Sequence, residues 1–415
     1  MRRRTASEFL IAVLVVASVA VGVDARAQDV QLCPEGSTCR FPTPAECADG
    51  THTGVWQGGP NGRGAICAGA GGHTVAYAGG EPSAACGAIV VGDVNVVDGP
   101  TVGNGGDPNA CPYTGGPVVV HDPSVAKDGK RYYLFGTGAG IPMWTSRDRR
   151  RWTRIGSVFP AGLPPWAAST IPGSLEPWAP DISFFGGVWH VYYAVSTFGA
   201  KRSAIGVATN PTLDPKDRRY AWTDHGVVVE SSDATDYNAI DPNVITGDGR
   251  PWLTWGSFSS GIKLAPLDAS TGMLAGPMQH LASRLVPTWG IEAPFIVRRD
   301  GFFYLFVSFD YCCRGSASTY NVRVGRAASI DGPYIDDAGV PMLLGGGRLV
   351  LEGEGTTRGP GHQAVLHEGD DWRLFFHYYD AARQGTATLG ILPITWTADG
   401  WPVVRWSDLR PVDVG

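Results

Sequence analysis

Beyond about residue 113 the chain alternates short runs rich in Val, Ile, Phe, Tyr and Trp with Gly or Asp-Gly breaks, and no apolar 3.6-residue period is sustained. Apolar runs of this length bounded by turn residues predict β-strands. Five stretches share one plan: an apolar strand, a turn containing Gly, then an aromatic strand. They are DPSVAKDGKRYYLFGTG from Asp122, APDISFFGGVWHVYYAVS from Ala179, DPNVITGDGRPWLTWGSF from Asp241, APFIVRRDGFFYLFVSFD from Ala293 and HQAVLHEGDDWRLFFHYYD from His362. Their starts lie 57, 62, 52 and 69 residues apart, room for a four-stranded antiparallel blade with its loops. A two-sheet sandwich has no reason to return one hairpin five times. The expectation is an all-β fold, a five-bladed β-propeller over residues 113–415.

Two segments precede it. Residues 1–27 hold Arg2, Arg3 and Arg4, an uncharged apolar run of 15 residues from Phe9 to Val23, and Ala25-Arg26-Ala27, the three parts of a secretory signal peptide. The run is short of the roughly 20 residues that span a bilayer. A secreted protein, cleaved near Ala27 and without membrane attachment, is expected. Residues 28–112 form a cysteine- and glycine-rich N-terminal extension with six of the eight cysteines and few strand patterns. In an exported chain these cysteines are expected to pair, in an order the spacing does not choose. A carbohydrate-binding module and a passive wrap on the main domain are both open readings of it.

Composition narrows the partners. Without residues 1–27, which contain four Arg against one Glu and one Asp, the formal charge of −6 becomes −8. An acidic surface argues against nucleic acid, whereas a neutral sugar polymer is indifferent to that sign. The 57 Gly and 31 Pro agree with a turn-rich chain. Gly136-Thr137-Gly138-Ala139-Gly140 follows a hairpin with no helix pattern after it, so it reads as a turn rather than a dinucleotide loop. No Walker loop, HExxH helix or GxSxG elbow is present.

The first strand of a propeller blade lines the central channel, so Asp122, Ala179, Asp241, Ala293 and His362 should face one axis. Glu292 directly precedes Ala293, and Asp181 follows Ala179 by two residues. Four acids and a histidine are thus expected near one end of the channel. A single Asp-Pro is explained as the start of a strand. Asp122, Asp241 and Glu292 at equivalent places in three blades point to chemistry, because neighbouring carboxylates disfavour each other's ionisation. Glycoside hydrolysis needs one carboxylic acid for the leaving oxygen and one carboxylate to activate water or attack carbon, and a third can keep the acid protonated.

The strings VHDPSV (120–125), WAPDI (178–182), NAIDPNV (238–244), WGSFSSGIKL (255–264), IEAPFIV (291–297), CCRGSASTYNVRVGRAASIDGPY (312–334) and GPGHQAV (359–365) closely resemble glycoside hydrolase family 43, and within it the endo-1,5-α-L-arabinanases. The resemblance covers residues 113 to about 400. It implies Asp122 as general base, Glu292 as general acid and Asp241 as the residue that tunes and orients Glu292, with inversion at the anomeric carbon. It also implies a cation, calcium, near His362, although calcium prefers oxygen ligands and would take most of its shell from water. Cys312 and Cys313 match a CC-x-G element of these enzymes, and whether they bridge each other or stay reduced is open. Asn238, Trp178, Ser257 and Phe258 lie in motif loops as candidate sugar contacts, although Trp and Phe serve equally well as blade core. The implied partner is arabinan or arabino-oligosaccharides, with the chain acting as a monomer.

Three rivals stay in view. A sugar-binding propeller without catalysis would repeat its binding residues in every blade, but the equivalent positions here are Asp, Ala, Asp, Ala and His. In the five-bladed fructan hydrolases the acid precedes a cysteine, whereas Glu292 precedes Ala293-Pro294. An exo-acting α-L-arabinofuranosidase or β-xylosidase of the same family differs in the loops that wall the cleft, which are not readable from sequence.

Overall fold

The computed structural model describes residues 116–286 and 289–415, together with a short antiparallel pairing of Cys67–Ala68 with Thr74–Val75. The signal peptide and the pairing of the six extension cysteines lie outside the described residues. The rest is a five-bladed propeller. Blade 1 comprises Ser124–Asp128, Arg131–Phe135, Pro142–Ser146 and Arg151–Ser157; blade 2 comprises Trp178–Phe185, Val188–Val195, Ser203–Asn210 and Thr223–Ser231. Blade 3 is built from Asn243–Gly247, Arg250–Trp255, Ile262–Pro266 and Gln279–Ala282, and blade 4 from Ile291–Arg299, Phe302–Phe309, Asn321–Ala327 and Arg348–Leu351. Blade 5 has Thr357–Glu368, Asp371–Asp380 and Thr386–Pro393. The inner strand of each blade packs on that of the next, and the fifth returns to the first.

The aromatic second strands show why the blades stack. Successive side chains of a strand point to opposite faces, and here both faces are covered. In Arg131–Phe135, Tyr133 and Phe135 enter the seam with blade 2, while Tyr132 and Leu134 enter the seam with blade 5. In Phe302–Phe309, Phe303, Leu305 and Val307 face blade 3, while Tyr304 and Phe306 face blade 5. Five apolar clusters result, one for each seam. A strand buried on both sides has no polar face to alternate with, which is why these strands read as unbroken aromatic runs.

Blade 5 departs from the expected four strands. Its outer partner comes from residues ahead of blade 1: Val120 N–H donates to Ala387 O at 3.2 Å and Leu389 N–H to Val118 O at 2.8 Å. The chain end crosses the other way, with Asp413–Val414 pairing in parallel beside Arg151–Trp152. Both exchanges join the last blade to the first.

Hydrogen bonds between inner strands repeat around the ring. Ser124 Oγ accepts from Ile182 N–H at 3.1 Å, Asp181 Oδ2 from Val244 N–H at 2.9 Å, and Asn243 Oδ1 from Ile296 N–H at 2.9 Å. Ser124, Asp181 and Asn243 each sit two residues after the start of a repeat. Asp181, expected with the acids at the channel end, is therefore a fastening between blades 2 and 3, with its second oxygen accepting from Asn243 Nδ2 at 2.9 Å. Burial raises its pKa to about 7, against the pull of these two donors. Asp181→Ala should leave the Asn243 amide and the Val244 N–H buried without an acceptor and cost about 2–4 kcal/mol, read as a lower midpoint in urea unfolding.

Candidate active site

The five residues that open the repeats have one unusual backbone conformation. Asp122, Ala179, Asp241, Ala293 and His362 all have left-handed φ, between 46° and 58°. For a residue other than Gly this costs about 1–2 kcal/mol, least for Asp. The preceding blade holds the turn in four of the five places. Ala179 N–H donates to Thr137 Oγ1 at 2.7 Å, Ala293 N–H to Asp241 Oδ2 at 3.0 Å, His362 N–H to Ser308 Oγ at 2.8 Å and Asp122 N–H to His377 Nδ1 at 3.1 Å. Register shifts follow the turn in blades 2, 4 and 5. In those three blades the bulge re-aims the head of the inner strand, and around the ring Asp122, Asp241 and Glu292 come into electrostatic contact with one another, all buried.

Their environments differ. Asp122 is surrounded by imidazoles: His121 Nδ1 lies 2.8 Å from Oδ2, and His362 Nδ1 and His377 Nδ1 lie 3.1 and 3.6 Å from Oδ1. Thr137 Oγ1 donates to Oδ2 at 2.5 Å. Burial alone would raise its pKa, but His121 and His362 hold it far below the ordinary carboxylate range. Glu292 accepts from Ser257 Oγ at 2.5 Å and from the Tyr320 hydroxyl. Burial, opposed by the Ser257 hydrogen bond and reinforced by the Asp122 charge, lifts its pKa to about 7. Asp241 is raised well above the usual range by burial and by the charges of Glu292 and Asp122. At neutral pH one carboxylate is firmly ionised beside a carboxylic acid that can still give a proton, the division of labour that acid–base hydrolysis of a glycoside requires.

The other candidates fall into different places. Ser257 spends its hydroxyl on Glu292. Asn238 is buried, with Oδ1 accepting from Ser203 Oγ at 2.8 Å, so it braces blade 2 at that oxygen. Phe258 is half-buried against Tyr311, with ring centroids 5.9 Å apart, and Trp178 is half-buried directly ahead of Ala179. Cys312 and Cys313 are joined by a disulfide between adjacent residues. His121, Thr137, Tyr320, His377 and Tyr379 enter the site without being among the residues the sequence points to as candidates. His121 and Tyr320 lie inside the quoted motifs, and the signal for His377 and Tyr379 was their alternation in an otherwise apolar aromatic strand. The Gly of GPGH has a steric reason: a Cβ at Gly361 would lie 2.2 Å from the ring of Tyr320, the residue that holds Glu292.

For a cation, His121, Asp122 and His377 offer ligand atoms within 4.8 Å of one another. That set is rich in nitrogen, and calcium selects oxygen. Asp122 already accepts from Thr137 and faces three imidazoles, and His362 turns Nδ1 toward it. A protein-caged calcium does not fit these residues. Among the described residues of this cluster, the buried Nε2 of His377 has no hydrogen-bond partner, and Nε2 of His362 is the ring nitrogen turned away from Asp122.

A five-bladed propeller with one asymmetric acidic centre at its mouth defines a glycosidase. The chain belongs to the glycosyl hydrolases family 43, whose sequence profile matches residues 116–402. An extracellular endo-α-(1→5)-L-arabinanase of Bacillus subtilis is 39% identical over 289 residues, covering 68% of this chain and 87% of that protein. An extracellular exo-α-(1→5)-L-arabinofuranosidase of Cellvibrio japonicus is 40% identical over 309 residues, covering 70% of this chain and 88% of the relative. The solved Cellvibrio cellulosa α-L-arabinanase complexed with arabinohexaose superposes with a TM-score of 0.70 at 37% identity, covering 72% of this chain and 99% of that one.

Ser257→Ala should move the alkaline limb of the kcat/KM profile to higher pH. The lost hydrogen bond favours the carboxylate form of Glu292, so without it the acid keeps its proton further above its present value of about 7. A limb that stays in place would mean that Glu292 is not the acid.

Proposed function

We propose that this enzyme cleaves α-1,5-L-arabinofuranosidic linkages within arabinan and inverts the anomeric carbon. Glu292 gives its proton to the departing glycosidic oxygen while Asp122 takes one from the attacking water, and Asp241 shapes the charge and seating of Glu292. The observation that carries this reading is the opposed environments of Asp122, among imidazoles, and Glu292, between two hydroxyls. Internal cleavage is supported by exposed apolar side chains on the loops that enter the inner strands of blades 2 and 4 and on a loop within blade 2. Leu175 stands between blades 1 and 2, Phe198 between the second and third strands of blade 2, and Leu285 and Trp289 between blades 3 and 4. A chain segment extending both ways from the cut would lie against both groups. The name of the Cellvibrio japonicus relative favours the second reading, exo-action.

Linear arabinan should therefore yield a mixture of short oligosaccharides early in digestion, and aryl arabinofuranosides should be poor substrates, because a single sugar gains little from a cleft built for a chain. Arabinose alone from the first minutes would replace this reading with the exo one. Asp122→Asn and Glu292→Gln should each lower arabinan hydrolysis by about 10²–10⁴. On an activated aryl leaving group Glu292→Gln should lose less, since that group needs little protonation. NMR of the first product should show the opposite anomer, and retained configuration would make Asp122 a nucleophile.

The cation belongs to the same proposal as a mostly hydrated ion beside His362. Metal analysis should find it, chelation should lower activity, and His362→Ala should lower activity more than melting temperature; a metal-free enzyme with full activity would remove it. Export agrees with the extracellular names of the relatives. Cleavage after Ala27 rests on the sequence argument, and an intact mass starting at Gln28 checks it.

A further inference from the structure

A chain of three hydrogen bonds runs from the Cys312–Cys313 disulfide at the rim of the site to the carboxylate of Asp122. Cys313 N–H donates to the Tyr379 hydroxyl at 2.7 Å, that hydroxyl meets His121 Nε2 at 2.8 Å, and His121 Nδ1 lies 2.8 Å from Asp122 Oδ2. The links come from three elements: the loop after Phe302–Phe309 in blade 4, the second strand of blade 5, and the residue leading into blade 1. Tyr379 is buried, and the His121 ring stacks on His377 with centroids 3.9 Å apart. An ionised carboxylate only accepts, so the proton on His121 Nδ1 points at Asp122. We propose that His121 and Tyr379 are positioning residues for the base Asp122, and that the Cys312–Cys313 disulfide anchors them.

The anchor depends on backbone conformation. Cys313 has φ of 65°, in the left-handed region that costs a residue with a Cβ about 1–2 kcal/mol. Bonding the two adjacent sulfurs closes a small ring through their shared peptide and keeps Cys313 in that conformation, with its N–H aimed at Tyr379. Opened, the loop can relax and withdraw the N–H. Tyr379 then loses one of the contacts that set its hydroxyl, keeping those to His121 and Ser318, and the plane of His121 is held less firmly. Cys313 is exposed, so a dithiol in solution reaches the bond. The dithiol gives up two electrons and two protons and becomes a disulfide, while the S–S bond of the enzyme breaks into two thiols.

This inference rests on the arabinan-cleaving reading above, and the oxidised native enzyme must first be shown to cut linear arabinan; failure there overturns that reading and leaves no role to assign here. Three proteins are then compared on that substrate, each with and without dithiol: the native enzyme, the double variant Cys312→Ala/Cys313→Ala, and Tyr379→Phe. Reduction should lower kcat by about tenfold with KM within about twofold, the scale of one hydrogen bond to a charged network. The double variant should match the reduced enzyme and ignore the dithiol, which separates this disulfide from the cysteines of residues 28–112. Tyr379→Phe should show the same loss and no further loss on reduction, because both changes cut one chain of contacts. Losses that multiply in reduced Tyr379→Phe, a kcat unmoved by reduction, or a raised KM at unchanged kcat would each overturn the proposal. If the double variant does not fold, the native and Tyr379→Phe comparisons decide.

Discussion

The left-handed turn at the head of each inner strand is the constraint on which the rest of the site depends. It places Ala and His, as well as Asp, in a conformation that sterics oppose, and hydrogen bonds from the neighbouring blade offset the cost. Each of those bonds also joins one blade to the next. The turn at Ala293 exists because Asp241 accepts its N–H, so the residue that seats the acid Glu292 is itself one of the three carboxyls. The geometry of the acidic centre and the assembly of the blades thus share one set of contacts.

Burial acts on all three carboxyls in the same sense and would hold each of them protonated. What separates them is their neighbours. Asp122 stands where blades 5 and 1 meet, with His121 Nδ1 and the Thr137 hydroxyl at one oxygen, and its charge raises the pKa of His121 against the pull of burial. Glu292 stands where blades 3 and 4 meet and takes its hydrogen bonds from the hydroxyls of Ser257 and Tyr320, which support a carboxylate less than the adjacent His121 supports Asp122. A pseudo-symmetric ring therefore gives chemically similar groups opposite protonation, because the second strands and loops behind each inner strand differ in sequence.

The repeat itself was open to view in the sequence. Five hairpins at near-constant spacing, each with an aromatic second strand, specify a propeller because a strand buried on both faces must be apolar at every position, as in Arg131–Phe135 and Phe302–Phe309. The placement of Asp122, Asp241 and Glu292 followed from the same alignment, since equivalent positions in a repeat share a place in the ring. Asp181 shows where that reasoning stops. It lies two residues after a repeat start, as Ser124 and Asn243 do, and this position faces the next blade. The alignment shows equivalence, while the direction of a side chain at a bulge depends on a register shift that the alignment does not display.

What the chain determined by itself was therefore periodic: the strand pattern, the count of blades, the three acids and the family they resemble. The tertiary structure decided which partners each acid has. His377 reaches Asp122, and Tyr379 reaches His121, from near the other end of the chain, and residues 118–120 complete blade 5 from ahead of blade 1. Those contacts join residues more than 250 positions apart in the chain. Local pattern carries no information about them, because they form only when the ring closes.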